Sequence, residues 1–166
     1  MKVSDKGRVA LAHHEGVRKK PYLDSVLLWT TGVGHLIAPL EHLAMTLDQR
    51  KAAKAAGELK CPKEWDRKLS DDEVLDVLEK DLVRFERGVL RLCPTALTQG
   101  RFDALVSFAY NVGCGAYLHS TLLNLLKAGD SAGAAAQLLL WDHVNGDVSD
   151  GLLRRRTAEQ ALFNKT

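Results

Sequence analysis

The chain has 166 residues, of which 46% are hydrophobic and 27% are charged, and its formal net charge is +2. This composition predicts one folded domain, and it excludes a disordered chain, a collagen-like repeat and a membrane-embedded bundle. The weak positive charge also argues against the strongly basic surface of a dedicated nucleic-acid-binding protein, so we expect no nucleic-acid partner.

Charged residues are frequent at the start of the chain, where a secretory signal peptide would need an uninterrupted apolar segment. They are Lys2, Asp5, Lys6 and Arg8. We therefore expect no signal peptide. The apolar runs farther along, such as residues 138–141, are too short to cross a bilayer, so we also expect no stable membrane insertion.

Cysteine and histidine residues do not indicate a metal site. The cysteines are Cys61, Cys93 and Cys114. They lack the spacing of zinc ligands, and their odd number favours reduced thiols, with one disulfide as an alternative. His13 and His14 precede Glu15, but neighbouring residues on a helix point in different directions and no third ligand is suitably spaced. We expect no bound metal.

The first predicted element is a short helix that ends near Glu15. Ser4 and Asp5 can cap its start, and Gly16 supplies the stop signal. The partial negative charge at a helix C-terminus disfavours a carboxylate, so a carboxyl group there holds its proton more tightly. This position suits Glu15 to act as a general acid.

Residues 22–36 carry the only convincing strand signal. Val, Trp and Thr are frequent there, Asp24 and Ser25 form a turn signal, and Gly32 and Gly34 interrupt the pattern. We expect a small antiparallel hairpin or meander, which must pack on a helix to be stable.

Helical signals dominate after this segment. Thr46 and Gln49 form a capping box for a helix that Gly57 ends, and residues 58–69 are expected to be a connection. A second capping box at residues 70–73 begins the longest predicted helix, 71–92, which Pro94 follows. About six turns long, this helix could join two lobes.

Four further helices are expected in the remainder of the chain. They run from the Thr98 cap to the break at Gly113, from Ser120 to Lys127, from Ser131 to about His143, and from Asp150 to Leu162. The sequence thus predicts an α+β fold, mainly α, with one small sheet.

Glu15 and Asp24 are a natural pair for glycoside hydrolysis, which needs one carboxyl group to protonate the leaving oxygen and a second group to position a water or attack the sugar. The spacing alone is a weak signal. In a chain with 21 acidic residues, two of them nine positions apart are more often solvated charges.

A longer pattern makes the hypothesis specific. Glu15 is followed after eight residues by Asp24, after five more by Thr30, and then by Thr31-Gly32-Val33-Gly34-His35. This stretch resembles the catalytic segment of the phage-type lysozymes of glycoside hydrolase family 24. Residues 103–113, 120–123, 128–130, Trp141 and 151–156 match further motifs in the family's order, so the resemblance extends from about residue 8 to 163.

The resemblance implies a lysozyme-like fold in a single catalytic domain, 1–166. A small sheet-bearing N-terminal lobe at about 12–70 and a larger helical lobe at about 93–166 would be joined by the connecting helix at about 71–92. The cleft would lie between the lobes, and the protein would be a monomer.

It also implies a muramidase that cuts the β-1,4 bond between N-acetylmuramic acid and N-acetylglucosamine in bacterial peptidoglycan, without a metal or organic cofactor. Glu15 would be the general acid, Asp24 would activate or orient the attacking water, and Thr30 would help to hold it. Thr31 is the alternative for this last role. As a phage endolysin, the protein would wait in the host cytoplasm until the membrane is permeabilised, and then reach the periplasm or cell wall.

Other positions receive expectations from the same resemblance. His35 pairs with an acidic residue on the long helix, which here matches Asp81, so we expect a structural ion pair. Asn111 falls at a position that could hydrogen-bond a sugar N-acetyl group, with a helix-end cap as the alternative. Independently of the resemblance, Trp141 follows three leucines at 138–140, so we expect it in the core rather than as a sugar platform.

The arginines at 154–156 could meet anionic surfaces such as an outer membrane. On a terminal helix, however, such residues are usually solvated or paired with acids such as Glu159.

The chain departs from the family in two places. Leu27 and Leu28 stand in the turn where many members have glycine, and the segment from Ala38 to Lys68 differs in length and composition. Two alternative functions are a lytic transglycosylase, which needs the acid but no positioned water, and a non-catalytic peptidoglycan-binding module.

Overall fold

The computed structural model describes residues 1–93 and 96–165, and its elements are mainly helices. The helices are α1 (Asp5–Glu15), α2 (Leu40–Ala44), α3 (Leu47–Ala55), α4 (Asp71–Leu92), α5 (Gln99–Val112), α6 (Cys114–Leu118), α7 (Thr121–Lys127), α8 (Ser131–Leu138) and α9 (Asp150–Phe163). The strands are β1 (Arg18–Leu23), β2 (Trp29–Gly32), β3 (His35–Leu36), β4 (His143–Val144) and β5 (Asp147–Val148). Pro94, expected to follow the long helix, lies outside the described residues.

The chain divides into two compact units. One comprises Met1–Leu11 and Asp81–Thr166, and the other comprises Ala12–Lys80. The division falls within α1 and within α4, so each of these helices contributes residues to both units. The lobe boundaries expected near residues 70 and 92 stay a prediction.

The unit formed by residues 12–80 contains the expected small sheet. Strands β1, β2 and β3 are antiparallel neighbours in that order, with Tyr22 opposite Thr30 and Thr31 opposite His35. The meander begins at Arg18, earlier than predicted. The prediction missed this start because the charged residues 18–20 carry no strand signal. Pro21 lacks an N–H to donate, and it lies in the stretch where the β1–β2 register is irregular.

Capping boxes start the two longer helices of this unit, as predicted. In α3, the Thr46 hydroxyl accepts from the Gln49 N–H at 3.3 Å, and the Gln49 side chain accepts from the Thr46 N–H at 2.7 Å. Ser70 and Glu73 make the same reciprocal pair before α4 at 3.1 and 2.8 Å. The predicted helix 71–92 is confirmed.

Helix α5 forms the centre of the other unit's core. Its residues from Phe102 to Ala109 are all buried, and it packs against α9. Leu122, Leu123 and Leu138 from α7 and α8 are also fully buried. Burial of this apolar surface is the main stabilising contribution to the unit. The predicted helices at 98–113, 120–127 and 150–162 are confirmed.

Two expectations for this unit are wrong. Helix α8 ends at Leu138 rather than near His143, and the meander is not the only sheet, because β4 and β5 form a second hairpin. Asn145 and Gly146 connect these strands with φ of 52° and 93°. An Asn-Gly pair is the preferred sequence for such a turn, so the signal was present but was overlooked. The short α6 was also missed, because Gly113 and Gly115 indicated only a break.

Among residues 1–93 and 96–165, no helix combines the length and apolarity that crossing a membrane requires.

Candidate active site

Glu15 is the last residue of α1, as predicted. The Gly16 N–H donates to the Ala12 carbonyl at 3.0 Å, and Gly16 has φ of 78°, a conformation that favours glycine and ends the helix. The Glu15 side chain is exposed. The sequence therefore places one carboxyl group at a helix C-terminus where a polymeric substrate could reach it.

Asp24 lies at the turn between β1 and β2 and organises it. Its Oδ1 accepts hydrogen bonds from the N–H groups of Val26 at 2.9 Å and Leu28 at 2.8 Å. The backbone closes the turn, because Leu27 N–H donates to the Asp24 carbonyl at 3.0 Å and Asp24 N–H donates to the Leu28 carbonyl at 2.9 Å. With Oδ1 held twice, Oδ2 is the oxygen without a hydrogen-bond partner among the residues that the structure describes.

Thr30 lies on β2 and shares a face of the hairpin with Asp24. Tyr22 is opposite Thr30 across the hairpin, and the Asp24 N–H donates to the carbonyl of Leu28 on the other strand. Side chains alternate between the two faces along each strand, so Asp24 lies on the same face as Tyr22, and Leu28 on the same face as Thr30. The Thr30 hydroxyl donates to the Leu28 carbonyl at 3.2 Å. Asp24 and Thr30 are thus brought together on one face of the hairpin.

Thr31 points to the opposite face of β2, because it is the next residue along the strand. It is fully buried, and its hydroxyl donates to the Arg18 carbonyl at 3.5 Å, a long bond across the sheet. Of the two threonines that the sequence left as alternatives, Thr30 is the one that shares the face of Asp24.

His35 is the first residue of β3. Its ring lies 5.3 Å from the ring of Trp65, centroid to centroid, with an interplanar angle of 49°. Trp65 belongs to the stretch that the sequence indicated only as a connection, so this contact was not foreseen. Asp81 lies on α4 in the other compact unit. The ion pair between His35 and Asp81 stays a prediction.

Residues 50–69 support the hairpin from several positions. Trp29 Nε1 donates to the Leu59 carbonyl at 3.1 Å, and the Leu69 N–H donates to the Lys19 carbonyl at 2.9 Å. Arg50, on α3, donates to the Val26 carbonyl in the turn. The sequence did not predict a role for Arg50, because every residue has a backbone carbonyl and the identity of Val26 therefore does not indicate an acceptor.

Asn111 lies near the end of α5, where its Oδ1 accepts a hydrogen bond from Arg156 Nη2. Gly113, with φ of 85°, caps the helix by donating its N–H to the Ala109 carbonyl at 2.9 Å. The capping role considered for the Asn111 side chain is therefore taken by Gly113. A contact between Asn111 and a sugar stays a prediction.

The expected pairing with Glu159 is confirmed for two of the three arginines on α9. Arg155 Nε donates to Glu159 Oε1 at 2.9 Å and Arg156 Nη1 donates to Glu159 Oε2 at 2.6 Å. Arg155 and Arg156 are 4% and 1% exposed, so they cannot present their charge to a membrane, while Arg154 is exposed.

Trp141 belongs to the same region, and its carbonyl accepts from Arg156 Nε at 3.0 Å. Its half-buried ring packs edge-on against Phe108 at 5.2 Å, so Trp141 borders the core and does not lie within it as expected.

Within the described parts of the chain, no group of three or more His, Cys, Asp or Glu side chains could hold a metal ion. No disulfide joins Cys61, Cys93 and Cys114, which all lie within the described residues.

Comparison with known proteins agrees with this geometry. A family model for phage lysozyme matches residues 12–159. An endolysin of Bacillus phage B103 is 35% identical over 165 residues, a match that covers 98% of this chain and 54% of the relative. The chain thus spans about half the length of that endolysin.

Two solved structures are similar over nearly their whole length. A crystal structure of a P22 lysozyme mutant has a TM-score of 0.79 and 28% identity, with 99% of each chain covered. The muramidase domain of SpmX from Asticaccaulis excentricus has a TM-score of 0.76 and 27% identity, also with 99% of each chain covered. The expected α+β, mainly helical, lysozyme-like fold is confirmed. With the matched family model covering Glu15, Asp24 and Thr30 in one segment, the chain belongs to the phage lysozyme family.

Proposed function

We propose that this protein is an endolysin muramidase that hydrolyses the β-1,4 bond between N-acetylmuramic acid and N-acetylglucosamine in bacterial peptidoglycan. Family membership supports the reaction class. The observation that carries the proposal is the shared face of Asp24 and Thr30, whose oxygens form a pair of hydrogen-bond acceptors in the same compact unit as the Glu15 carboxyl.

Glu15 protonates the glycosidic oxygen as the bond to the leaving sugar breaks. Glu15 is the last residue of α1, so its carboxyl group projects from the end of the helix. Because the side chain is exposed, a long glycan strand can reach the carboxyl group without a rearrangement of the helix.

Asp24 and Thr30 position the attacking water. The Thr30 hydroxyl uses its proton for the Leu28 carbonyl, so its oxygen accepts from a ligand, and Asp24 Oδ2 is a second acceptor. A water that donates one hydrogen to each keeps its lone pairs for the sugar, and Asp24 takes the proton that the water loses. Direct attack by water inverts the anomeric centre.

Two contacts rest on the family resemblance alone and belong to the same proposal. They are the ion pair between His35 and Asp81 and the hydrogen bond from Asn111 to a sugar N-acetyl group. We also propose that the protein acts as a monomer, needs no metal or organic cofactor, and waits in the host cytoplasm until the membrane is permeabilised.

The decisive experiment is zymography on purified peptidoglycan with Glu15→Gln and Asp24→Asn. We expect each variant to lose about 10²-fold to 10⁴-fold in lytic rate, because each removes a proton-transfer group, while its circular dichroism is unchanged. Glu58→Gln is the matched control, since Glu58 is an exposed glutamate of the same compact unit, and it keeps full activity.

Mass spectrometry of the released muropeptides defines the reaction. Reducing N-acetylmuramic acid ends support hydrolysis, whereas 1,6-anhydro ends would show a lytic transglycosylase. Full lysis by Glu15→Gln contradicts the proposed acid. A parent protein that pellets with cell walls without clearing them is a non-catalytic binding module.

A further inference from the structure

Arg50 on α3 makes three hydrogen bonds, all to backbone carbonyls. Its Nε donates to His42 at 3.1 Å, its Nη2 to Met45 at 2.8 Å and its Nη1 to Val26 at 2.6 Å. His42 lies within α2 and Met45 directly follows it, whereas Val26 lies in the β1–β2 turn. One half-buried side chain therefore connects the α2–α3 corner to the hairpin turn.

The arrangement uses the particular shape of arginine. Two of the bonds orient the planar guanidinium group against the α2–α3 corner, and the third is then directed at Val26, 24 positions away in the chain. A lysine ammonium keeps the charge, but it is a single point that cannot place three donors in this fixed fork.

Val26 is held from both sides. Its carbonyl accepts from Arg50, and its N–H donates to Asp24 Oδ1 at 2.9 Å. The path from Arg50 to the Asp24 carboxylate is therefore one residue long. Val26 supplies one of the two N–H groups that hold Asp24 Oδ1, so a displaced Val26 would remove one of these two hydrogen bonds.

This turn needs external support. Leu27 has φ of 60°, the left-handed region that costs a residue with a side chain about 1–2 kcal/mol relative to its preferred conformations. Glycine would adopt this conformation without strain.

We propose that Arg50 is a positioning residue for catalysis: through Val26 it fixes the orientation of Asp24, so that Oδ2 is directed at the attacking water. This inference rests on the proposed function, because it takes Asp24 as the residue that activates water. It assigns to the α2–α3 segment a catalytic purpose in addition to its structural one.

The first test is the rate of hydrolysis of purified peptidoglycan by Arg50→Lys. We expect kcat to fall about 10-fold to 100-fold, because misplacement of a catalytic group by about 1 Å costs that much, while KM changes by less than about twofold. Arg67→Lys is the matched control, since Arg67 is an arginine of the same unit whose partner is the surface residue Glu73, and it keeps the parental kcat. Rates are compared well below the melting temperature of each variant.

A double variant separates this inference from the proposed function. In an Asp24→Asn background, Arg50→Lys should lower the residual rate no further, because both changes act on the same step. If Asp24→Asn itself is fully active, the proposed function fails. If Asp24→Asn is inactive and Arg50→Lys keeps the parental kcat, the function stands and the positioning role of Arg50 is wrong.

Two further measurements exclude a merely structural effect. Amide hydrogen exchange at Val26 and Leu28 should accelerate in Arg50→Lys while the core of α5 is unaffected, and Leu27→Gly added to Arg50→Lys should restore part of the lost kcat by relieving the strained turn. Exchange that accelerates throughout residues 12–80, with no restoration by Leu27→Gly, would overturn the proposal in favour of general destabilisation.

Discussion

Arginine side chains organise two regions of this molecule, and they do so in opposite ways. In the hairpin region, half-buried Arg50 donates only to neutral backbone carbonyls, and solvent can share in balancing its charge. On α9, Arg155 and Arg156 are buried, and both pair with a single buried carboxylate, Glu159, which balances one of their two positive charges. In the first region the arginine orients the Asp24 turn, whereas in the second the carboxylate stabilises arginines that are buried.

The difference follows from the cost of leaving a charge unpaired. A buried charge that loses its partner keeps its full desolvation cost, while a partly exposed one regains water. Changes on α9 should therefore act on stability, and changes around the hairpin should act mainly on activity. The predictions below test this contrast, from the largest expected effect to the smallest.

The largest effect is expected for Glu159→Ala. Glu159 is 2% exposed and also accepts from the Ser107 hydroxyl at 2.7 Å, so its removal leaves two buried guanidinium groups without a carboxylate to balance their charge and takes away the acceptor of that hydroxyl. We expect a loss of about 3–5 kcal/mol in the free energy of unfolding, measured by urea denaturation. Glu58→Ala, at an exposed site, provides the reference. A loss below about 1 kcal/mol would contradict the contrast, because the α9 cluster would then matter as little for stability as we expect of the hairpin region.

Sequence spacing could predict part of this cluster. Glu159 lies three and four residues after Arg156 and Arg155, so pairing on one helix face was foreseeable. The long-range acceptors were not, because the carbonyl of Ser107, which accepts from Arg155 at 3.0 Å, carries no signal of residue type. Only the packing of α5 against α9 brings it into reach.

The hairpin shows the same limit. The family resemblance of the stretch that holds Glu15, Asp24 and Thr30 marked it as the candidate site, and capping boxes located α3 and α4, because these signals are local. The choice between Thr30 and Thr31 needed the strand register. Leu27 was expected to alter the turn, but its positive φ could not be predicted. Leucine by itself disfavours the left-handed region, so this conformation depends on the folded surroundings.

An intermediate effect, of opposite sign, is expected for Leu27→Gly. Glycine removes the strain of φ at 60°, and this gain is partly offset by the greater freedom of glycine in the unfolded chain. We expect the melting temperature to rise by a few degrees at most, corresponding to about 1 kcal/mol. Leu28→Gly is the matched control, because Leu28 lacks a positive φ, and it should lower the melting temperature. Equal losses in both variants would show that packing of the Leu27 side chain outweighs the strain.

The smallest effect is expected for Glu73→Gln, at an ion pair on the surface. Hydrogen bonds from Arg67, followed by the Ser70 N–H, lower the pKa of Glu73 from its ordinary value of 4.5 to about 2. Because the folded protein binds the proton more weakly than the unfolded chain, this carboxylate stabilises the fold above pH 4.5, and the contribution is lost as the pH falls towards 2.

Calorimetry of the parent and Glu73→Gln between pH 7 and about pH 3 measures this dependence. We expect a small difference in melting temperature at pH 7 that narrows as the pH falls, while Glu58→Gln differs from the parent equally little throughout. A difference that persists unchanged to pH 3 would mean that the Glu73 side chain acts through its shape and not its charge. The side chains of Arg67 and Glu73 are 52% and 40% exposed, so solvent screens the attraction between their charges. The pair should therefore affect both stability and activity less than Arg50 in the hairpin region or the buried arginines of α9.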